Sequence, residues 1–207
     1  FDEARRMQRL VEDLISLSRI EAEKYRLPGE RLDLGELLED VAAEIAAARS
    51  PRAGDVSVTI DPGLPAVTGD EAQLSQLFHN VIGNAMKYGR ANTPVRVSLS
   101  LNRSKLVQLV VRDEGEGIAP QHIPRLTERF YRVDAGRSRS VGGTGLGLAI
   151  VKHIVELHGG AIYAYSRGEG QGSDFMITLP LAIQTTTGDD ETLWPERPDG
   201  QMETRTT

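Results

Sequence analysis

The chain has 207 residues, a formal net charge of −6 and no cysteine. The negative charge excludes a broad basic surface of the kind that binds nucleic acid. The absence of cysteine excludes disulfides, thiol catalysis and thiolate metal sites. No apolar run approaches the roughly 18 residues of a membrane span, and no signal peptide opens the sequence. The composition is that of a globular protein, with 39% hydrophobic and 26% charged residues.

The first predicted element is one long helix over residues 2–26, which ends at Pro28 and Gly29. Such a helix cannot bury an apolar face by itself and needs a partner. The spacing of its apolar residues predicts the seam of a coiled coil or helical bundle, and an ordinary helix packed on its own domain is the alternative. The seam consists of Met7, Leu10, Leu14 and Leu17, with Val11 and Ile15 beside it.

The rest of the chain alternates between helical and strand patterns. Asp33 and Asp70 are predicted N-caps, and a short helical stretch is expected near residues 121–130. Because the strands are mainly antiparallel, we predict an α+β fold with helices on one face of a mixed sheet. The predicted helices are 33–48, 70–88 and 146–158, and the predicted strands are 56–60, 95–101, 106–112, 161–166 and 174–179.

Two patterns suit a phosphorylated ligand. Asn80 and Asn84 share one face of the predicted helix 70–88, and Lys87 follows three residues later. Amide oxygens can ligate Mg²⁺, and lysine can bind a phosphate. Asp113 ends a buried strand, where its carboxylate can accept a hydrogen bond from an amine such as that of adenine. Ordinary polar helix faces and capped loops show the same patterns, so each is weak by itself.

A third pattern is the glycine-rich segment 142–148, which opens directly into a helix. Backbone N–H groups at such a helix start can bind phosphate oxygens. A dinucleotide-binding fold needs a hydrophobic strand before the glycines, but residues 137–140 read Arg-Ser-Arg-Ser, and no Gly-Lys-Ser/Thr triplet of a Walker A loop occurs. Five arginines in residues 121–140 add a local cationic patch, which suits a small phosphorylated ligand or a solvated loop.

In this order, the segments resemble the N, G1, F and G2 boxes of the histidine kinase and GHKL ATPase superfamily. The boxes correspond to residues 80–88, 113–118, 128–132 and 143–148. The resemblance covers roughly residues 1–180 and implies a two-layer α/β sandwich of the Bergerat ATP-binding type. The amino-acid sequence of residues 126–134 is most similar to that of phosphate-regulon sensor kinases.

The resemblance also implies a division of the chain. Residues 1–27 would be the second helix of a dimerisation and phosphotransfer hairpin, and residues 30–183 the ATP-binding catalytic domain. Residues 184–207 are polar and acidic, which is typical of a disordered tail, and Trp194 could anchor that tail to a partner.

The resemblance assigns roles to individual residues. Asn80 and Asn84 would hold Mg²⁺ and the ATP phosphates, Lys87 would bind a phosphate, and Asp113 would bind the adenine amine. A mobile lid over about 120–145 would bring Arg132 to the nucleotide, with fast hydrogen exchange over about 134–145 before nucleotide binds. The implied catalytic residues are Asn80, Asn84, Lys87 and Arg132. The other residues implied to contact ATP are Tyr88, Gly115, Gly117, Ile118, Tyr131, Thr144, Gly145, Leu146 and Gly147.

Three activities fit this resemblance: a kinase, an ATP hydrolase and a nucleotide-binding regulator without catalysis. The hydrolases of the superfamily carry a glutamate where this chain has Asn80, and a neutral amide cannot act as a general base. The kinase is therefore favoured, and none of the expected box residues is missing, as they would be in a degenerate regulator.

The kinases of the superfamily carry an acceptor histidine in a motif on the first helix of the hairpin. None of this chain's histidines lies in such a motif, so we expect the acceptor upstream of Phe1. His158 is instead placed to cap the C-terminus of a helix. The four histidines are His79, His122, His153 and His158.

The resemblance further implies a setting. A response regulator would receive the phosphoryl group, and the full-length protein would be a homodimer through its helical hairpin. The catalytic part would be cytoplasmic, and the full-length protein anchored in the bacterial inner membrane. No nucleic-acid partner is expected.

Overall fold

The computed structural model describes residues 2–22, 29–48, 55–133 and 143–182, without the side chains of residues 2, 3, 5 and 6. These residues form four α-helices and seven strands, and a single 3-10 turn, Ile123–Arg125, lies between the fifth strand and the last helix. The elements are α1 (Asp2–Ala22), β1 (Glu30–Leu32), α2 (Leu34–Ala48), β2 (Val56–Ile60), β3 (Val67–Gly69), α3 (Glu71–Tyr88), β4 (Val95–Leu101), β5 (Leu106–Asp113), α4 (Gly147–Leu157), β6 (Ala161–Tyr165) and β7 (Ser173–Pro180).

The main sheet has five strands in the order β2-β4-β5-β7-β6. Strands β2 and β4 are parallel, and the other neighbours are antiparallel. One face of this sheet is covered by helices: Leu99, Leu109 and Ile177 lie opposite one another on three strands and share a core with Phe78 and Ile150. The predicted α+β sandwich with a mixed sheet is therefore confirmed. The short pair β1 and β3 was not predicted, because three residues give no readable alternation.

Helix ends follow the predicted capping residues. The Asp33 carboxylate accepts hydrogen bonds from the backbone N–H groups of Gly35 and Glu36, at 2.8 and 3.2 Å. The Asp70 carboxylate accepts one from the backbone N–H of Gln73 at 2.9 Å. Both N-caps are confirmed, and they fix where α2 and α3 begin.

The predicted cap His158 joins two helix ends. Its Nδ1–H donates to the carbonyl of Ile154 at the end of α4, at 2.8 Å, and its Nε2 accepts the backbone N–H of Asp70 at 3.1 Å. Burial lowers the pKa of His158. The neutral ring satisfies one carbonyl of α4 and one N–H group at the start of α3, so the cap is confirmed and also links the two helices.

The apolar face of α1 differs from the predicted seam. Leu17 and Ile20 are buried in the domain core, where α1 packs along α4, whereas Met7 and Leu14 are 63% and 45% exposed. Leu10 also packs against the core. The predicted single seam is therefore wrong, since its residues divide into one stripe on the domain and one exposed stripe. The exposed stripe consists of Met7, Val11, Leu14 and Ile15.

Two other expectations need comment. Of the helical stretch expected near residues 121–130, the structure shows one 3-10 turn, Ile123–Arg125, and Phe130 has a φ of 62°, outside the helical range. The end of the predicted first helix, residues 134–142 of the predicted lid and the tail with Trp194 lie outside the described residues. Among the described helices, none is long and apolar enough to cross a membrane.

Candidate functional site

A cleft of about 600 Å³ opens between α3, the loop after β5, the segment before residue 133, the start of α4 and α1. This volume is within the usual range for small-molecule sites. The cleft is lined by Arg9, Asp13, Asn80, Asn84, Lys87, Tyr88, Asp113, Glu116, Gly117, Ile118, Leu126, Tyr131, Arg132, Val133, Gly143, Thr144, Gly145, Gly147, Leu148, Ser173 and Phe175.

The fold brings the predicted site residues together in this cleft, with the exceptions of Gly115 and Leu146. Leu146 is fully buried in the core. A Cβ at Gly115 would overlap the carbonyl oxygen of Tyr88, and one at Gly117 would overlap that of Gly168. These two glycines were expected to contact ATP. Both allow backbone segments of the protein to pack on one another, and Gly117 needs its φ of 68° as well.

Asp113 is 5% exposed and ends β5 at one end of the cleft. Its Oδ1 accepts the backbone N–H of Gly115 at 2.8 Å, and its Oδ2 accepts the hydroxyl of Ser173. A buried carboxylate is costly unless such donors compensate it. The two donors therefore hold Asp113 in one orientation before any ligand arrives.

Ser173 was missed by the sequence reading. It lies 60 residues from Asp113 in the sequence, but it is directly opposite Asp113 in the antiparallel register of β5 and β7. No local motif marks it, so only the strand pairing identifies it. The other cleft residues outside the predicted set are Arg9, Asp13, Glu116, Leu126, Val133, Gly143, Leu148 and Phe175.

Helix α3 has one polar and one apolar face. Asn80, Asn84 and Lys87 face the cleft, and the Nδ2 of Asn80 is buried without a hydrogen-bond partner in the described part of the chain. Burial first, and then the positive charges of Arg132 and Arg9, together lower the pKa of Lys87 to about 8. The opposite face is fully buried through Leu74, Leu77, Phe78, Val81 and Ile82.

Arg132 contributes a second unusual group to the cleft. Its Nε and Nη2 atoms are buried, and neither has a hydrogen-bond partner among the described residues. Burying guanidinium donors without acceptors is unfavourable, since each loses its bonds to water. Together with Lys87, Arg132 makes this end of the cleft suited to an anion.

Tyr131, beside Arg132, is held by two neighbours. Its hydroxyl lies 2.6 Å from Nδ1 of His122, and the Arg125 guanidinium stacks 4.2 Å from the centre of its ring. Arg125 also pairs with Glu128 at 3.0 Å. Part of the predicted arginine patch is thus neutralised within the protein, and Arg137 and Arg139 lie outside the described residues.

The glycine loop joins the cleft to two other segments. The Thr144 hydroxyl donates to Asp13 of α1 at 2.6 Å and accepts the N–H of Leu146 at 3.3 Å. Gly145 has a φ of 77°, and its carbonyl accepts the N–H of Phe130 at 2.9 Å. Gly147 then starts α4 at the edge of the cleft, so the positive end of that helix faces the site.

Comparison with protein families identifies this site. Residues 69–183 match the histidine kinase-, DNA gyrase B-, and HSP90-like ATPase family, which is more than half of the chain. The chain belongs to this family. The predicted superfamily and fold are therefore confirmed, and all of the residues that line the cleft, except Arg9 and Asp13, lie in the matched segment.

Similar proteins narrow the assignment. Sensor protein kinase WalK of Staphylococcus saprophyticus is 37% identical over 190 residues, which cover 88% of this chain and 30% of WalK. The phosphate regulon sensor protein PhoR of Pseudomonas aeruginosa is 38% identical over 173 residues, which cover 84% of this chain and 38% of PhoR. The chain thus spans about a third of these relatives, and the phosphate-regulon type is one of several among them.

A solved structure agrees with this result. Full-length ShkA, determined in complex with AMPPNP, superimposes with a TM-score of 0.73 at 30% identity, covering 85% of this chain and 36% of ShkA. The chain therefore carries the ATP-binding catalytic domain of the sensor histidine kinase type.

Proposed function

We propose that the chain binds ATP with Mg²⁺ and transfers the γ-phosphoryl group to a histidine outside the sequence printed here. One observation carries the proposal. The cleft joins a buried carboxylate that accepts from Gly115 and Ser173, Asp113, to buried cationic and amide groups that have no acceptor among the described residues, Arg132 and Asn80. A ligand with a hydrogen-bonding base at one end and phosphates at the other satisfies both ends.

The end of the cleft at Asp113 suits adenine. The carboxylate is acceptor-only, so it can receive the exocyclic amine while Gly115 and Ser173 fix its position. Ile118 and Phe175 supply apolar surface for the flat ring. Gly115 would thus act through Asp113 and through its packing on Tyr88, without touching the base.

The opposite end suits phosphates. Lys87 and Arg132 provide positive charge, and Thr144, Gly145 and Gly147 lie at the start of α4, where N–H groups can meet phosphate oxygens. Leu146 would act there through its backbone alone, because its side chain is in the core.

Asn80 and Asn84 would hold Mg²⁺ through their amide oxygens, which are hard donors four residues apart on one helix face. No group of three or more His, Asp or Glu side chains among the described residues could hold a metal ion alone. The donor set therefore fits Mg²⁺, which usually keeps water and phosphate ligands and takes one or two from the protein. The ion would neutralise charge that develops on the phosphates during transfer.

Transfer fits the cleft better than hydrolysis. Phosphoryl transfer to an imidazole needs placement and charge neutralisation: the N–P bond forms while the bond from phosphorus to the ADP oxygen breaks. Hydrolysis needs a base for water, and Asn80 is an amide. In the described part of the cleft the carboxylates are Asp13, Asp113 and Glu116, of which Asp13 accepts from Thr144 and Asp113 occupies the base end.

The four histidines of the chain have other contacts. His79 lies 3.0 Å from Glu44, His122 contacts Tyr131, and His158 caps α4. His153 lies beside Glu21 and Glu156. All four lie in the described residues, and none lines the cleft. These contacts support an acceptor histidine on a different segment.

The wider setting is part of the same proposal. Residues 1–27 would belong to a dimerisation hairpin, 30–183 to the catalytic domain and 184–207 to a tail. The exposed stripe of α1 supports a homodimer through that hairpin. A response regulator would receive the phosphoryl group, and the full-length kinase would be anchored in the inner membrane. The amino-acid sequence of residues 126–134 supports a role in phosphate regulation.

Incubation with γ-labelled ATP tests the transfer. The chain alone should remain unlabelled and release little phosphate. A histidine-bearing hairpin from a WalK relative, supplied separately, should acquire acid-labile, base-stable label, and the same hairpin with its histidine changed to alanine should not. Acid-labile label on the chain itself would contradict the assignment of its four histidines. Rapid phosphate release, abolished by Asn80→Ala, would favour the hydrolase.

A further inference from the structure

Helix α1 contributes to the cleft although it precedes the residues that match the family. Arg9 and Asp13 both line the cleft, and their spacing of four residues puts them on one face of α1. Asp13 accepts the Thr144 hydroxyl at 2.6 Å, which ties this face to the glycine loop. The helix therefore presents a basic residue to the site from a fixed position.

The far end of α1 is held as well. Glu21 forms an ion pair with Arg129, which follows the 3-10 turn Ile123–Arg125. The Ser16 hydroxyl donates a hydrogen bond to the side chain of Gln76 in α3 at 2.8 Å. Leu17 is buried in the core between these contacts. Since polar and apolar contacts alternate along α1, its register against the domain is defined, and with it the position of Arg9.

Arg9 lines the cleft one helical turn from Asp13, which accepts the Thr144 hydroxyl of the glycine loop, and its charge acts on Lys87. The base end is marked by Tyr88, whose carbonyl accepts the N–H of Glu116 at 3.2 Å. Asn80 is eight residues earlier on α3, which is about 12 Å along the helix axis. A nucleotide with its base on Asp113 thus extends its phosphates towards the glycine loop and α1.

Positive charge accumulates at that end. Arg132 and Arg9 are close enough to Lys87 for their charges to add to the effect of burial, which is the main reason that the pKa of Lys87 falls to about 8. Asp13 is the carboxylate that lines this end of the cleft in the described structure, and its Oδ2 already accepts from Thr144. Three basic groups around one carboxylate suit a ligand with several negative charges.

We propose that Arg9 of α1 contacts the terminal phosphate of a bound nucleoside triphosphate, so that α1 completes the nucleotide site and distinguishes ATP from ADP. This inference rests on the proposed binding of ATP. Arg9 is the cleft residue that α1 brings to the phosphate end, and its guanidinium can bind a phosphate with two parallel N–H groups. Asp13 is a positioning residue, because it holds α1 on the glycine loop.

Titration calorimetry with Mg-AMPPNP and Mg-ADP tests the assignment in the full chain. Arg9→Ala should weaken AMPPNP binding about tenfold, as expected for the loss of one charge-assisted hydrogen bond, and ADP binding by less than about twofold. Arg9→Lys should lose less AMPPNP affinity than Arg9→Ala, because lysine keeps the positive charge although it lacks the two parallel N–H donors of a guanidinium. The matched control is Arg19→Ala, which removes an exposed arginine of the same helix that does not line the cleft.

Equal losses for AMPPNP and ADP would overturn the contact with the terminal phosphate, and so would unchanged affinities. If Arg9→Ala unfolds by circular dichroism, Arg9→Lys decides by the same comparison of the two nucleotides. Failure of the unsubstituted chain to bind either nucleotide would instead reject the proposed function itself.

Discussion

The two ends of the cleft differ in whether their buried polar groups have hydrogen-bond partners within the described protein. At the base end, Asp113 is buried and both of its oxygens accept hydrogen bonds from the protein. At the phosphate end, Arg132 and Asn80 have buried nitrogens without acceptors among the described residues, and burial together with like charges lowers the pKa of Lys87. At the base end the carboxylate has its donors in the folded chain, whereas the phosphate end has donors without acceptors among the described residues, which suits an anion.

This difference separates stability from binding. Groups at the base end contribute to both the folded state and the ligand contact, because their hydrogen bonds exist without a ligand. Groups at the phosphate end should lower the stability of the free protein, since their buried donors have no acceptor among the described residues. Substitutions at both ends should therefore lower nucleotide affinity, but only those at the base end should lower the free energy of unfolding.

The largest effect is expected at the base end. Asp113→Asn should weaken ADP binding by about 1.5–3 kcal/mol, and it should also lower the free energy of unfolding, because one of the donors at Gly115 and Ser173 then meets an amide N–H. Calorimetry with ADP and urea unfolding measure the two quantities. Asp174→Asn is the control, since that carboxylate pairs with Arg112 outside the cleft. An unchanged ADP affinity for Asp113→Asn would remove the adenine assignment.

At the phosphate end, Arg132→Ala should separate the two properties. ATP affinity should fall about tenfold, whereas the free energy of unfolding should stay the same or rise by about 1 kcal/mol, because unpaired buried donors are removed. The same two measurements apply, with Arg103→Ala in the exposed β4–β5 hairpin loop as a control for the loss of charge. A clear loss of stability in Arg132→Ala would show that the two ends do not differ in this way.

The smallest effect concerns pH. With a pKa of about 8, Lys87 is partly neutral in the free protein at mildly alkaline pH, and bound phosphate should raise that pKa. ATP affinity should consequently fall as pH rises from about 7 to 9, by less than about tenfold, with uptake of up to about half a proton on binding near pH 8. Calorimetry in buffers of different ionisation enthalpy measures the uptake. Lys87→Met should abolish it, and uptake that persists in this variant would assign the titration to another group.

Much of the fold was readable from local patterns. The strict alternation of β4 and the capping residues Asp33 and Asp70 gave boundaries that the structure reproduces. The short strands β1 and β3 were missed because three residues carry no period. The short helical stretch expected near 121–130 is a single 3-10 turn, Ile123–Arg125.

The site was readable to the extent that its residues lie in short motifs. Asn80, Lys87 and Asp113 fall within such motifs, and the fold brings them to one cleft. Ser173 and Arg9 were not found, since strand register places the former and the docking of α1 the latter. Their roles depend on neighbours far away in the sequence.

The sequence by itself determined the family, the order of the main elements and the motif residues, because local periodicity, capping and glycine spacing act over a few residues. The tertiary structure decided how Asp113 is held, why Gly115 must be glycine, and how the apolar surface of α1 divides between Leu17 and Leu14. These outcomes depend on packing between segments distant in the sequence. A pattern along one helix or strand shows which residues need a partner, and only the folded chain shows which partner each one meets.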